Sequence, residues 1–326
     1  MQPAFSVILL TTLIGTGQGL FLALFTGQVY SVLHVLPEQD SRGFYALGSL
    51  LALGLLCGGL AASFFHLGHK ERGWRAMARW RTSWLSREVI LLPVFMGLVC
   101  LYGGAHYLGF TQPIVRLWNT VDIDTTYILG LLATAAAFAL YYCTGMIYAS
   151  VRFFIQWATP LTVINYTLLG SASGFALATA FSSLVGSQLL SFYALWTILI
   201  TVAAFLSRGL TLVRNLRLTM PTTTSAAIGV RHAGLKQKSM GFMGGSFNTR
   251  EFSHGCSPAR MEQIQTFFLV TTFLVPVIAM SLLPMEFGHL MFLGVFAVQF
   301  LGLLAERWFF FAQADHPQNL YYRQVG

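Results

Sequence analysis

The chain has 326 residues, of which 56% are hydrophobic and only 9% charged. Soluble domains carry about 25% charged residues, so an ordinary soluble fold is excluded and a polytopic membrane protein is expected. The net charge is +8, yet the bases lie between apolar runs, where they orient a membrane protein and meet anionic lipid rather than nucleic acid. The apolar runs are continuous rather than alternating, which argues against a β-barrel. The N-terminus lacks a basic region before its first run, and that run is too long for a cleavable signal peptide. Cys57, Cys100, Cys143 and Cys256 are far apart and form no CxxC pair. No disulfide framework and no metal or cluster ligation by this chain are expected.

In chain order, eight apolar runs predict helices at about 5–34, 43–68, 88–110, 126–149, 160–186, 188–208, 263–284 and 287–312. Each is long enough to cross a bilayer, which takes about 20 residues of helix. The expected fold is therefore all-α, a single polytopic domain over 1–326 with eight transmembrane helices in one bundle. Gly186-Ser187-Gln188 is the only punctuation between the fifth and sixth runs. Gly15, Gly17 and Gly19 in the first run predict close helix packing rather than a nucleotide loop, since no strand precedes them and no Lys follows.

With eight spans, the termini and the loops 69–87, 150–159 and 209–262 fall on one side. That side carries 17 of the 19 Lys and Arg; only Arg42 and Arg116 fall on the other. The positive-inside rule then makes the first side, and both termini, cytoplasmic. The 209–262 segment is polar and long, which suits a flexible connector or a docking surface.

The segment from Phe64 to Pro93 joins the second and third runs and holds six bases. Residues 71–87 suit a helix at the interface. At 100° per residue, Arg72, Arg75 and Arg79 share a face opposite Met77, Trp80 and Trp84. This lid is either a lipid anchor or a surface for a partner or a polar ligand head, with Arg72, Arg75, Arg81 and Trp84 as its candidates. His66 closes the second run and Glu88 opens the third. Ionisable groups at that depth are costly unless paired, solvated or used. Together they offer a quinone a hydrogen-bond donor and a carboxylate for proton exchange. Axial haem ligation is not expected, because His34, His106 and His289 lie near the opposite face and His66 stands alone at its level. Arg152 and Gln156, after the fourth run, are either an ordinary basic flank or part of a pocket on the same face. Glu306 and Arg307 are adjacent on a helix and so do not face each other; no ion pair is expected between them.

Three stretches resemble one known family: FFHLGHKERGWRAMARWRTSWLSREV, MIYASVRFFIQW and GLLAERWFFFAQADHPQNLYY. They are similar to the DmsC-type anchor subunits of dimethyl sulfoxide reductase-like molybdoenzymes, including the membrane subunits of cytoplasmic sulfite dehydrogenase complexes. The resemblance implies a multi-pass protein of the bacterial inner membrane. It implies two partners, a ferredoxin-like iron–sulfur subunit and a molybdenum catalytic subunit. Those partners would hold the iron–sulfur clusters and the molybdenum cofactor, while this chain would meet ubiquinone or menaquinone without haem. The family's quinone-site histidine and glutamate match His66 and Glu88. The polar 209–262 loop leans the reading toward sulfite oxidation, with a quinol-oxidising sulfoxide reductase anchor as the alternative. A transporter would need ionisable residues or broken helices near the midplane, and a purely structural anchor would leave quinone to another subunit.

Overall fold

The computed structural model describes residues 5–65, 67–117, 121–185, 188–218, 230, 256–282 and 288–314. The described residues include eight helices long and apolar enough to cross a membrane. They are α1 (Phe5–Val32), α2 (Ser41–Ser63, opening with a π turn at Ser41–Ala46), α3 (Trp84–Leu108) and α4 (Thr125–Ala149). Then come α5 (Pro160–Val185), α6 (Leu190–Leu216), α7 (Pro258–Leu282, with a π turn at Val270–Leu274) and α8 (His289–Ala312).

Helices α1 and α5 form the buried axis of the bundle. Their approach rests on glycine: a Cβ on Gly174 would strike the backbone of Gly19, and one on Gly19 the carbonyl of Gly170. Lipid is as apolar as leucine, so close backbone contact and interhelical hydrogen bonds hold such helices together. Thr16 and Ser173 hydroxyls meet across this contact at 3.0 Å, and Gln18 Nε2 donates to the Ala137 carbonyl at 2.9 Å. The expected role of Gly15 and Gly19 in close packing is thus observed. Around the axis, Phe21, Phe95 and Tyr102 pack edge to face between α1 and α3.

Local chemistry sets the helix starts. Ser83 accepts from the Ser86 amide and starts α3, Asp124 accepts from the Tyr127 amide and starts α4, and Ser257 before Pro258 starts α7. Each satisfies an amide that the first turn leaves without an intrahelical partner. Gly109, at φ 78°, closes α3 in the left-handed region that glycine adopts without steric cost.

Some expected boundaries move. The sixth helix continues to Leu216 instead of ending near 208, because Arg208 is buried and paired inside the bundle rather than marking a solvated flank. The third helix begins at Trp84, so Glu88 sits one turn inside it. The expected 71–87 helix is two elements, a 3₁₀ helix at Lys70–Arg79 and the first turn of α3, separated by a turn at 80–83. At about three residues per turn, Arg72 and Arg75 align but Arg79 moves off their line. Most of the 209–262 segment lies outside the described residues, apart from its start in α6 and residues at its end. An antiparallel hairpin, β1 (Pro113–Leu117) and β2 (Val121–Asp124), joins α3 to α4 where no strand was expected. Arg116 pairs across it with Asp122, a bidentate contact at 2.5 and 2.9 Å. The hydrogen bond from Arg116 and its charge hold the Asp122 carboxyl below the usual carboxylate range.

Candidate functional site

Three segments close one end of the bundle. Ile8 on α1, Phe154 and Trp157 in the α4–α5 connection, and Phe310, Phe311 and Ala314 at the end of α8 form one buried cluster with Tyr166. Trp157 Nε1 donates to the Phe310 carbonyl at 2.9 Å, and the two rings stack at 5.3 Å. Glu88 and Thr144 lie at this same end, on facing turns of α3 and α4.

Thr144 Oγ1 donates to Glu88 Oε1 at 2.5 Å. The Glu88 carboxyl borders a small internal cavity of about 10 Å³. Its polar wall comprises Thr11, Thr12 and Gln18 from α1, Tyr141 and Thr144 from α4, Tyr166 from α5 and Arg307 from α8. Tyr141 is committed, its hydroxyl donating to the Gly15 carbonyl at 2.7 Å. This space suits about one water molecule and is too small for a quinone ring.

Behind the cavity lies a charge cluster in the apolar interior. Arg208 Nε on α6 lies 2.8 Å from Glu306 Oε1 on α8, and Arg307 Nη1 lies 3.6 Å from Glu306 Oε2. All three are at most 3% exposed. The Arg307 guanidinium also lies 3.7 Å over the Tyr166 ring, whose face attracts a cation. Nearby, Asn165 donates to Thr211 Oγ1 at 2.8 Å and accepts from Ser207 Oγ at 2.8 Å, tying α5 to α6. Sequence reasoning passed over Arg208 and Glu306–Arg307 as flanking residues. The available signal was three ionisable residues inside apolar runs, which marks an intramembrane site by default.

The other candidates separate into two groups. Arg72, Arg75 and Arg81 are exposed in the α2–α3 connection, beside Trp74 at 64% and Trp80 at 53% exposure. Arg75 and Arg81 lie over their neighbouring tryptophan rings. Arg87 lies 4.1 Å over Trp84 and donates to the Trp80 and Arg81 carbonyls, at 2.9 and 2.8 Å, fastening the connection to α3. Trp84 in turn meets Tyr142 of α4 edge to face. Arg152 is exposed and Gln156 is buried. None of Arg72, Arg75, Arg81, Trp84, Arg152 or Gln156 lines the cavity at Glu88. His66 lies outside the described residues.

At the opposite end, Gln28 accepts from Tyr102 at 2.8 Å and donates to Thr126 at 2.6 Å. His106 there stacks on Tyr45, with Nδ1 3.2 Å from Ser41 Oγ. Gln28, Ser41, Tyr45 and His106 border a second cavity of about 280 Å³ beside the hairpin.

The family model for the DMSO reductase anchor subunit (DmsC) matches residues 1–235. The C subunit of the sulfite dehydrogenase of Allochromatium vinosum is 54% identical over 326 residues, covering 100% of both chains. With a family match across most of its length and eight helices of spanning length and composition, the chain belongs to the DMSO reductase anchor subunit (DmsC) family.

Proposed function

We propose that this chain anchors a sulfite-oxidising complex in the bacterial inner membrane and passes its electrons to the quinone pool. The observation that carries this is its 54% identity, end to end, to the C subunit of a sulfite dehydrogenase. That relationship favours sulfite over dimethyl sulfoxide as the substrate of the whole complex. A molybdenum catalytic subunit and a ferredoxin-like iron–sulfur subunit are the partners. Both termini and the basic α2–α3 connection face the cytoplasm, following the lopsided distribution of bases. The exposed Arg72, Arg75 and Arg81 supply a docking face for the iron–sulfur partner, and Trp74 and Trp80 set it at the headgroup layer. Arg152 adds a further exposed charge in the α4–α5 connection.

Reduction of a quinone, ubiquinone or menaquinone, takes up two electrons and two protons. In this reading the electrons come from the partner's clusters. His66 donates a hydrogen bond to a ring carbonyl, and Glu88 delivers protons, its carboxyl oriented by Thr144. Glu88 supports this reading because it borders a polar internal cavity while lying in the first turns of a membrane helix. The test is turnover of the purified complex with sulfite and a short-chain quinone. His66→Ala is expected to assemble with its partners and to lose quinone-coupled turnover. Wild-type rates in the assembled variant would remove His66 from the reaction, and identification of the co-purifying subunits checks the partners.

A further inference from the structure

The reaction as proposed leaves the buried charges of α6 and α8 unused, and burying them is costly. An ion taken out of water loses several kcal/mol of solvation, on the order of 20 in the idealised limit. Glu306 and Arg208 compensate one another at 2.8 Å. Arg307 is then the surplus cation, because one carboxylate faces two guanidiniums and the Arg307 contact to Glu306 is the longer, at 3.6 Å against 2.8 Å for Arg208. It is 3% exposed, so bulk water cannot supply the missing anion. Among the described residues, the carboxylate that borders the same cavity as Arg307 is Glu88. The lining is polar on several sides and has room for about one water.

We propose that Arg307 is a positioning residue for Glu88, its guanidinium facing the Glu88 carboxyl through one water in the shared cavity and stabilising the carboxylate left behind when Glu88 gives its proton to the reduced quinone. The inference rests on the quinone reading of Glu88 and adds to it the group that sets its charge. Arg208 and Glu306 form the seat that fixes Arg307, and the Tyr166 ring carries the guanidinium at the cavity wall. Other groups also face Glu88. From α4 these are Tyr141, which shares the cavity wall, and Cys143 and Tyr148, both within reach of the Glu88 charge. From α5 it is Tyr166, and on its own helix Arg87 is adjacent. Helix α1 contributes Thr11, Thr12 and Gln18, none of which titrates. Arg87 is engaged with Trp84 and two carbonyls on the outer side, which leaves Arg307 as the interior cation.

The test uses the purified holo-complex and compares Arg307→Gln, Arg307→Lys and Glu88→Gln. Arg307→Gln leaves a neutral Arg208–Glu306 pair, so the complex is expected to assemble. Without the cation Glu88 is a weaker acid, so quinone-coupled turnover per assembled complex should fall roughly tenfold near pH 7, with the alkaline limb of its pH profile moved up by about one unit. Arg307→Lys keeps the charge and should restore most of the wild-type profile. An Arg307→Gln profile that superimposes on wild type overturns the proposal. Loss of assembly in both Arg307 variants also overturns it, since that assigns Arg307 a structural role. Glu88→Gln separates the two readings. Normal turnover there removes Glu88 from quinone chemistry altogether. Lost turnover there, with an unchanged Arg307→Gln profile, removes Arg307 alone.

Discussion

Glu306 is the residue on which the interior charges balance. Removing it should cost far more than removing Arg307, because Glu306→Gln leaves two guanidiniums in an apolar interior with no anion between them. Breaking a buried pair in this way costs about 3–5 kcal/mol. Glu306→Gln is therefore expected to lower the melting temperature of the detergent-solubilised complex well below that of Arg307→Gln. Thr144→Val should act differently. It keeps the volume at the α3–α4 contact and removes the hydroxyl that orients the Glu88 carboxyl. A hydrogen bond to a charged group contributes about 1.5–3 kcal/mol. Assembly should survive, with quinone-coupled turnover reduced about tenfold or more. Glu88 was legible in the sequence because an acid at the edge of an apolar run is anomalous by itself. Arg307 was not: adjacent residues on one helix were not expected to pair, yet Arg307 lies 3.6 Å from Glu306, and the partner that completes the cluster is on α6.

Among the elements, α1 and α5 carry the strictest demand. Gly174 faces the Gly19 backbone so closely that any side chain must push the two helices apart. Gly174→Val is expected to abolish accumulation of folded protein in the membrane. Gly97→Ala should be tolerated, since a Cβ there meets nothing within 4 Å. Membrane levels of the two variants, measured by immunoblot, check the contrast. The spacing of Gly15 and Gly19 revealed a packing face, but its partner on α5 required the fold. The α2–α3 connection shows the reverse. Helical angles at 100° per residue assumed an α-helix through residue 87, whereas Ser83 starts a new helix and a 3₁₀ turn precedes it. A capping serine inside a tryptophan- and arginine-rich run was the signal that the amphipathic pattern concealed.

For the whole molecule, the lopsided distribution of bases predicts a definite orientation. In a variant freed of its native cysteines, Thr111→Cys, at an exposed site beside the hairpin, should react with a membrane-impermeant thiol reagent on intact cells. Arg75→Cys should react only after the membrane is opened. Reaction of Arg75→Cys on intact cells would invert the orientation and move partner docking to the other face. By itself the sequence determined the membrane class, the eight spans, the glycine packing face and Glu88 as an ionisable group at an apolar edge. These follow from local composition and chain length, which the cost of exposing polar backbone to lipid converts directly into helices. Only the tertiary structure decided which side chains share an interior. The cavity joining Glu88 to Tyr166 and Arg307, and the pairing of Arg208 with Glu306, depend on contacts between helices distant in the chain. Hydrophobic periodicity cannot encode them, because a buried ion's partner is set by where helices cross rather than by spacing along any one of them.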